Sequence, residues 1–393
     1  MDRFIPEQLE DLTAEWLTTA LREGGHLHET GVVTSVEREI LGEGEGFMGD
    51  IARLRLSYEG GEGPASVVAK MPRLENRAFG ELVGVYERES CFYEEFSDSV
   101  PVALPRLYFS DFDRNATSDR QKRALSLANR TPQFLMPRVT RAAMWAAKRR
   151  KRRYLLLLED LGDATSGDQL AGTDVERCAA VLKAAAKLHA AMWESPALED
   201  RYWLVPLAGD SRVRQSMFLE MRGSFRERHP ELFDEEFERL VGWVSENGVE
   251  TIERIQGEAP PTLVHGDLRL DNLVFRGDEP VFFDWQAIRR GPAAYDVAWF
   301  LSGASDDLTA EDEAVLLRVY HAALEEHGVR GYPFEAFQRH YQLGLLTTVQ
   351  TLGLLTILDI GVGENRGAEM ARAWVRRLRA RLQQIDLDRV LDP

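Results

Sequence analysis

The sequence predicts a two-lobed α+β fold: a smaller N-terminal lobe on a mostly antiparallel sheet, then a larger, mainly helical C-terminal lobe. Three observations point there. At 393 residues the chain exceeds what one hydrophobic core usually serves. Its β-prone runs, at 32–58, 65–70 and 154–158, gather early and are punctuated by glycine. Beyond residue 162 the apolar spacing is chiefly helical, apart from one short hairpin. The expected division is 1–161 for an N-terminal helix and the N-lobe, with a basic insertion at 111–153, and 162–393 for the C-lobe.

The elements follow in order. Residues 1–25 read as an amphipathic helix, with Pro6 near its start and Gly24-Gly25 closing it. Val33, Val36 and Ile40 lead into a turn with Gly42, Gly44, Gly46 and Gly49, and Ile51, Leu54, Leu56 and Tyr58 lead out. Glycines at alternate positions let backbone amides approach a phosphate chain, and Gly44 and Gly46 are the candidates. No Gly-Lys-Ser/Thr follows, so this is not a Walker A loop. The β-branched run Ala65–Lys70 ends in a lysine, and Glu81–Phe96 reads as one helix. Tyr154–Leu158 is a buried strand that breaks at Glu159-Asp160-Leu161-Gly162. Asp174–Trp193 is an alanine-rich helix in which His189 reads as a satisfied core residue. Gly291-Pro292 ends a loop, and a helix starts at Ala294, with Asp296 placed to satisfy its first amides. From Glu311 onward the pattern is almost wholly helical.

The chemistry concentrates in residues 265–286, HGDLRLDNLVFRGDEPVFFDWQ. Two apolar runs, Leu273-Val274-Phe275 and Val281-Phe282-Phe283, flank the connection Arg276–Pro280 and predict a β-hairpin. Such a hairpin sets Asn272 beside Asp284. An amide oxygen and a carboxylate are hard ligands that suit Mg²⁺, which keeps several waters. Asp267, five residues before Asn272, supplies a further carboxylate to orient or deprotonate a hydroxyl, which is the chemistry of phosphotransfer.

HGD-x4-N, with an Asp twelve residues later behind an apolar strand, resembles the aminoglycoside phosphotransferase and choline kinase-like superfamily. The Asp-Trp-Gln ending is similar to its ecdysteroid kinase-like branch. The resemblance covers roughly residues 30–305 by motif. It implies a protein kinase-like fold with ATP between the lobes, Asp267 as catalytic base, and Asn272 and Asp284 as magnesium ligands. The order of Gly-rich hairpin, strand lysine and helix glutamate is that of a kinase N-lobe, in which Lys70 grips phosphates and a glutamate orients it. Glu89 fits best, in Glu-x-x-Phe-Tyr at 89–93, with Glu87 the alternative. Backbone groups around Glu159 and Leu161 would meet adenine. The resemblance also implies that Asp296 braces the catalytic loop and that His265 holds the loop through hydrogen bonds. Arg269, two residues after Asp267, either reaches the transferring phosphoryl group or pairs with Asp271.

The expected activity is ATP- and Mg²⁺-dependent phosphorylation of a small-molecule hydroxyl. A non-catalytic nucleotide-binding scaffold is the alternative from another class. A protein kinase is disfavoured, because no activation segment fits between Asp284 and Asp296. The acceptor is not readable: an acidic C-lobe suits a cation, whereas Trp193, Trp203 and Trp285 would suit an apolar alcohol or steroid. A net charge of −17 argues against nucleic-acid binding. Two cysteines form no disulfide framework, the N-terminus lacks signal-peptide character, and Leu345–Ile360 reads as a core helix, so a cytoplasmic protein is expected. Residues 111–153 carry 13 Lys and Arg against three Asp, either as a solvated loop or as a peripheral contact with an anionic surface.

Overall fold

The structure is a computed structural model that describes residues 4–41, 49–74, 76–114, 127, 130–149, 152–162, 164–350, 366–383 and 385. The chain folds as α+β, in two compact units. One comprises Met1–Ser99, Leu104–Thr117 and Arg141–Asp163; the other comprises Val100–Ala103, Ser118–Thr140 and Ala164–Pro393.

The first unit holds a five-stranded sheet of β1 (Val32–Leu41), β2 (Gly49–Glu59), β3 (Ser66–Pro72), β4 (Leu107–Phe112) and β5 (Tyr154–Glu159). The order is β1-β2-β3-β5-β4, with every neighbour antiparallel. Helix α1 (Ala14–Glu23) packs on β1 and β4. The sheet's period of two sends Leu54, Val67, Ala69, Leu155 and Leu157 into one core with Leu17 and Leu21 of α1. The same period sends Lys70, next to Ala69, to the opposite face. Helix α1 begins later than its sequence suggests. Thr13 caps it by accepting from the Trp16 amide, while Leu9–Asp11 forms a separate 3-10 turn.

The segment 77–95 is two helices, α2 (Arg77–Val83) and α3 (Val85–Glu95), where one was expected. Gly84 divides them with a left-handed φ of 73°, which a side chain would resist. Two basic residues of the 111–153 island are half-buried and paired with carboxylates. Arg152 makes a bidentate pair with Glu87 (3.0 Å to each oxygen) and Arg153 pairs with Asp113. Helix α4 (Met136–Ala147) lies between β4 and β5 in the chain.

The second unit is mainly helical. Its short sheets are β6 (Thr165–Ser166) with β8 (Leu273–Arg276) and β9 (Glu279–Phe282), and β7 (Pro261–Val264) with β10 (Arg289–Pro292). Around them lie α5 (Val175–Ala191), α6 (Ser211–Arg228), α7 (Glu235–Glu258), α8 (Ala293–Gly303), α9 (Ala310–Glu326), α10 (Phe334–Thr348) and α11 (Arg366–Leu382). Every residue of α8 is buried, and α5, α10, α11 and β7 all pack on it. A helix apolar nearly all round belongs at such a centre. Of the apolar 345–360 stretch, 345–350 is buried and the rest lies outside the described residues. Among the described residues, no helix is long and apolar enough to cross a membrane.

A buried ion pair joins the C-terminal helices. Arg381 of α11 meets Glu313 of α9 at 2.9 Å, and Tyr341 of α10 donates to the other Glu313 oxygen at 2.8 Å. Removing one partner strands the other charge, so Arg381→Ala is expected to lower stability by about 3–5 kcal/mol. Urea unfolding checks this. Arg381→Met combined with Glu313→Leu should recover most of the loss, since the pair replaced as a unit strands no charge.

Candidate active site

Strand β7 delivers the chain into the loop 265–272, and helix α8 fixes that loop. Asp296, fully buried, accepts from the His265 amide (2.6 Å) and the Gly266 amide (2.9 Å). Its sequence position had suggested bonds to its own helix start; its oxygens serve the loop instead. His189 joins the same carboxylate through Nε2 at 3.2 Å and meets the Tyr320 hydroxyl through Nδ1 at 2.7 Å. Burial pushes the Tyr320 phenol well up, so it stays protonated and donates to Nδ1, which leaves Nε2–H to donate to Asp296. Gly266 has φ 82°, and a Cβ there would lie 2.1 Å from the Ala287 carbonyl oxygen. Only glycine fits that place.

Asp267 is half-exposed and held at both oxygens. Trp299 Nε1 donates to Oδ1 at 3.0 Å; Asn272 Nδ2 donates to Oδ2 at 2.9 Å and Arg269 Nε at 3.3 Å. The Asn272 amide nitrogen also donates to the Asp267 carbonyl at 2.9 Å. With its nitrogen so engaged, Asn272 has its amide oxygen left as a ligand atom. Arg269 pairs with Asp271 as well, at 2.7 Å. Burial works against the Arg269 charge, but Asp267, Asp271 and Asp284 outweigh it and hold its pKa above the usual value. That influence also sets Asp284 within the same cluster of charges.

The hairpin differs from its expected register. The two-residue turn Gly277-Asp278 joins Arg276 to Glu279, and Leu273 lies opposite Phe282. The Phe283 amide donates to the Asn272 carbonyl at 3.2 Å, so Phe283, and not Asp284, stands across from Asn272. Asp284 follows with φ 62°, a left-handed backbone that costs a non-glycine residue roughly 1–2 kcal/mol and clusters at working sites. His265 ties loop to strand. Its Nδ1 accepts from the Asp267 amide (3.3 Å), so Nε2–H donates to the Phe283 carbonyl (3.0 Å). Trp285 is fully buried against the His265 ring, 4.6 Å between centroids, and Trp203 is buried too. Neither is open to an acceptor, contrary to their expected availability. Trp193 is half-buried beside Tyr332.

In the first unit, Lys70 Nζ meets Glu89 Oε1 at 2.8 Å, with Glu89 buried. Glu87 is taken by Arg152, so the two candidate glutamates have separate cations. The Glu159 amide donates to the Arg106 carbonyl at 2.8 Å, and its carboxylate accepts from the Arg106 amide at 3.0 Å. Leu161 is half-buried. Between them Asp160 takes a bidentate bond from Arg53 and one from Ser66; burial opposes its charge, yet these donors hold its pKa low. Gly44 and Gly46 lie outside the described residues.

Three residues join the site without having been foreseen. Trp299 sits three after Asp296, so one helical face presents both to the loop, a spacing that was readable. Gln169 clasps the loop: its amide donates to Asp271, its Oε1 accepts from the Leu270 amide and its Nε2 donates to the Gly303 carbonyl. Buried Arg377 of α11 donates to the Gln169 and Gly303 carbonyls. Neither of these two carries a sequence signal.

The donor set suits magnesium. Asn272 and Asp284 carry hard oxygen donors, and an ion that retains water needs few from protein. Among the described residues, no three or more His, Cys, Asp or Glu gather to hold a metal by themselves.

The model of the ecdysteroid kinase-like family matches residues 43–330. No curated protein matches the chain. Among solved structures, choline kinase from Cryptosporidium parvum is similar at 12% identity, covering 91% of each chain with a TM-score of 0.53. This likeness shows the protein kinase-like fold. An amicoumacin kinase in complex with AMP-PNP, Ca²⁺ and Ami shares 10% identity over 88% of each chain, TM-score 0.48. A macrolide 2′-phosphotransferase from Brachybacterium faecium shares 17% over 94% of this chain and 98% of its own, TM-score 0.44.

Gly266→Ala combines a disfavoured φ with a backbone clash and is expected to lower stability by at least about 2 kcal/mol. Gly257, late in α7, has no atom within 4 Å of an added Cβ. Gly257→Ala should therefore be neutral or gain up to about 1 kcal/mol through helix propensity. Urea unfolding of the two variants, side by side, checks the contrast.

Proposed function

The chain belongs to the ecdysteroid kinase-like family, and we propose that it transfers the γ-phosphoryl group of ATP, with Mg²⁺, to a hydroxyl of a small molecule. The observation that carries this reading is the Asp267 carboxylate. It is half-exposed, its orientation is set by Trp299, Asn272 and Arg269, and the neighbouring Asn272 has only its amide oxygen left for a ligand.

Asp267 would orient the acceptor hydroxyl and take its proton as the oxygen attacks the γ-phosphorus. The bond from that phosphorus to the β-bridging oxygen breaks, and ADP leaves. Lys70, steadied by Glu89, would grip the nucleotide phosphates, joined by the backbone amides of Gly44 and Gly46. Backbone groups of Glu159 and Leu161 would meet adenine. Asn272 and Asp284 would hold Mg²⁺, which when bound offsets phosphate charge. Arg269, poised between Asp267 and Asp271, would share its positive charge with the transferring group. Since little covalent work falls to the protein, its contribution is positioning and electrostatics.

Acceptor-dependent release of ADP across a panel of hydroxyl compounds, cationic and apolar, tests the proposal. Intact Mg·ATP binding with no turnover on any acceptor would favour a scaffold. Asp267→Asn should leave nucleotide affinity nearly unchanged and cut kcat by roughly 10²–10⁴, the usual worth of a positioned base. Asp284→Ala should weaken Mg·ATP binding as well, as read by calorimetric titration. Arg269→Ala is expected to lower kcat clearly, with Arg269→Lys recovering part of it and KM for ATP changing less. An Arg269→Ala enzyme at the parent rate would restrict the arginine to its pairing with Asp267 and Asp271.

A further inference from the structure

Helix α4 carries a surface that phosphotransfer does not use. Its inner side is buried at Met136 and Ala147 and half-buried at Thr140, Ala143 and Met144, a helical spacing. Its outer side is unusually apolar and uniformly basic. Phe134, just ahead of the helix, is 77% exposed and Trp145 is 59% exposed, with Val139 between them. Arg138, Lys148 and Arg149 are exposed on the same segment, and the sequence holds no Asp or Glu between residues 120 and 158. The Arg149 guanidinium lies over the Trp145 ring, 3.3 Å from its centroid. Arg152 and Arg153 do not belong to this surface, since Glu87 and Asp113 occupy them.

We propose that the outer face of α4 docks the protein onto an anionic lipid bilayer. Two properties of the face must be met together. Its cations require negative charge, which a phosphate-bearing headgroup layer supplies. Its exposed rings and Val139 gain only where apolar groups are accepted, and tryptophan prefers the headgroup level, where an adjacent arginine meets phosphate. A nucleic-acid duplex satisfies the cations alone, because its paired and stacked bases leave the exposed rings and Val139 no apolar partner. A bilayer satisfies both. Surface attraction of this kind decays within a Debye length, so it is strong only where the helix touches.

Co-sedimentation with vesicles tests this, and it needs neither nucleotide nor acceptor, so its outcome is separate from the phosphotransfer reading. The protein should sediment with phosphatidylcholine–phosphatidylserine vesicles at low salt, leave them at high salt, and ignore pure phosphatidylcholine. Combined Arg138→Glu, Lys148→Glu and Arg149→Glu should lower partitioning by at least about tenfold. Combined Phe134→Ser and Trp145→Ser should weaken it while preserving its salt dependence. Brominated acyl chains should quench parent fluorescence more than that of Trp145→Phe. All five positions are exposed, and unchanged melting temperatures establish that the variants fold. Failure to bind serine-containing vesicles at low salt would overturn the proposal, as would binding undiminished by charge reversal. So would equal binding to duplex DNA that is indifferent to loss of the two aromatic rings.

Discussion

The Asp296 carboxylate anchors the candidate site. Two of its bonds run to successive amides of the 265–272 loop, and a third comes from His189 on α5. A buried carboxylate is costly unless each oxygen finds donors, and here the donors are the backbone that needs placing. Folding the loop and satisfying Asp296 are therefore one event. Tyr320, held protonated by its own burial, extends the chain of donors to α9 and sets the His189 tautomer that makes the third bond available.

Gln169 and Arg377 hold the loop through further bonds. Gln169 occupies both a loop amide and the Asp271 carboxylate, and Arg377 occupies the Gln169 carbonyl. The Asp267 side chain is thus positioned by groups that are themselves buried and hydrogen-bonded, the condition for holding a reacting group to fractions of an ångström. Trp299 adds an apolar wall and a single donor at once, packing edge-on against Trp374 while its indole nitrogen meets Asp267.

Much of this was legible in local pattern. The strand and hairpin order rests on short-range periodicity, which sequence records directly; the partnership of Lys70 with Glu89 rested instead on the resemblance to the kinase N-lobe order. Two local details were misread because backbone geometry intervened. Gly84 divides a helical pattern that is otherwise continuous, and the left-handed turn at Asp284 shifts the metal-ligand candidate one place past Asn272's partner. Gln169 and Arg377 were invisible for a different reason. Their bonds join residues 101 and 208 positions apart, and a lone polar residue has no period to betray a partner. Trp299 lay between: its spacing from Asp296 was readable, but an indole in an apolar helix looks like core until its nitrogen is traced.

The Arg377 clamp has a consequence for how the protein comes into being on the ribosome. Of the groups that hold the loop, Gln169 is made before it, whereas Asp296 and Trp299 on α8, and then Arg377 on α11, are made after it. A nascent chain that has released the hairpin but not α11 has Gln169 in place, with its backbone carbonyl still lacking the Arg377 donor. Such a chain can collapse around α8, but it reaches its finished loop geometry only when the arginine emerges.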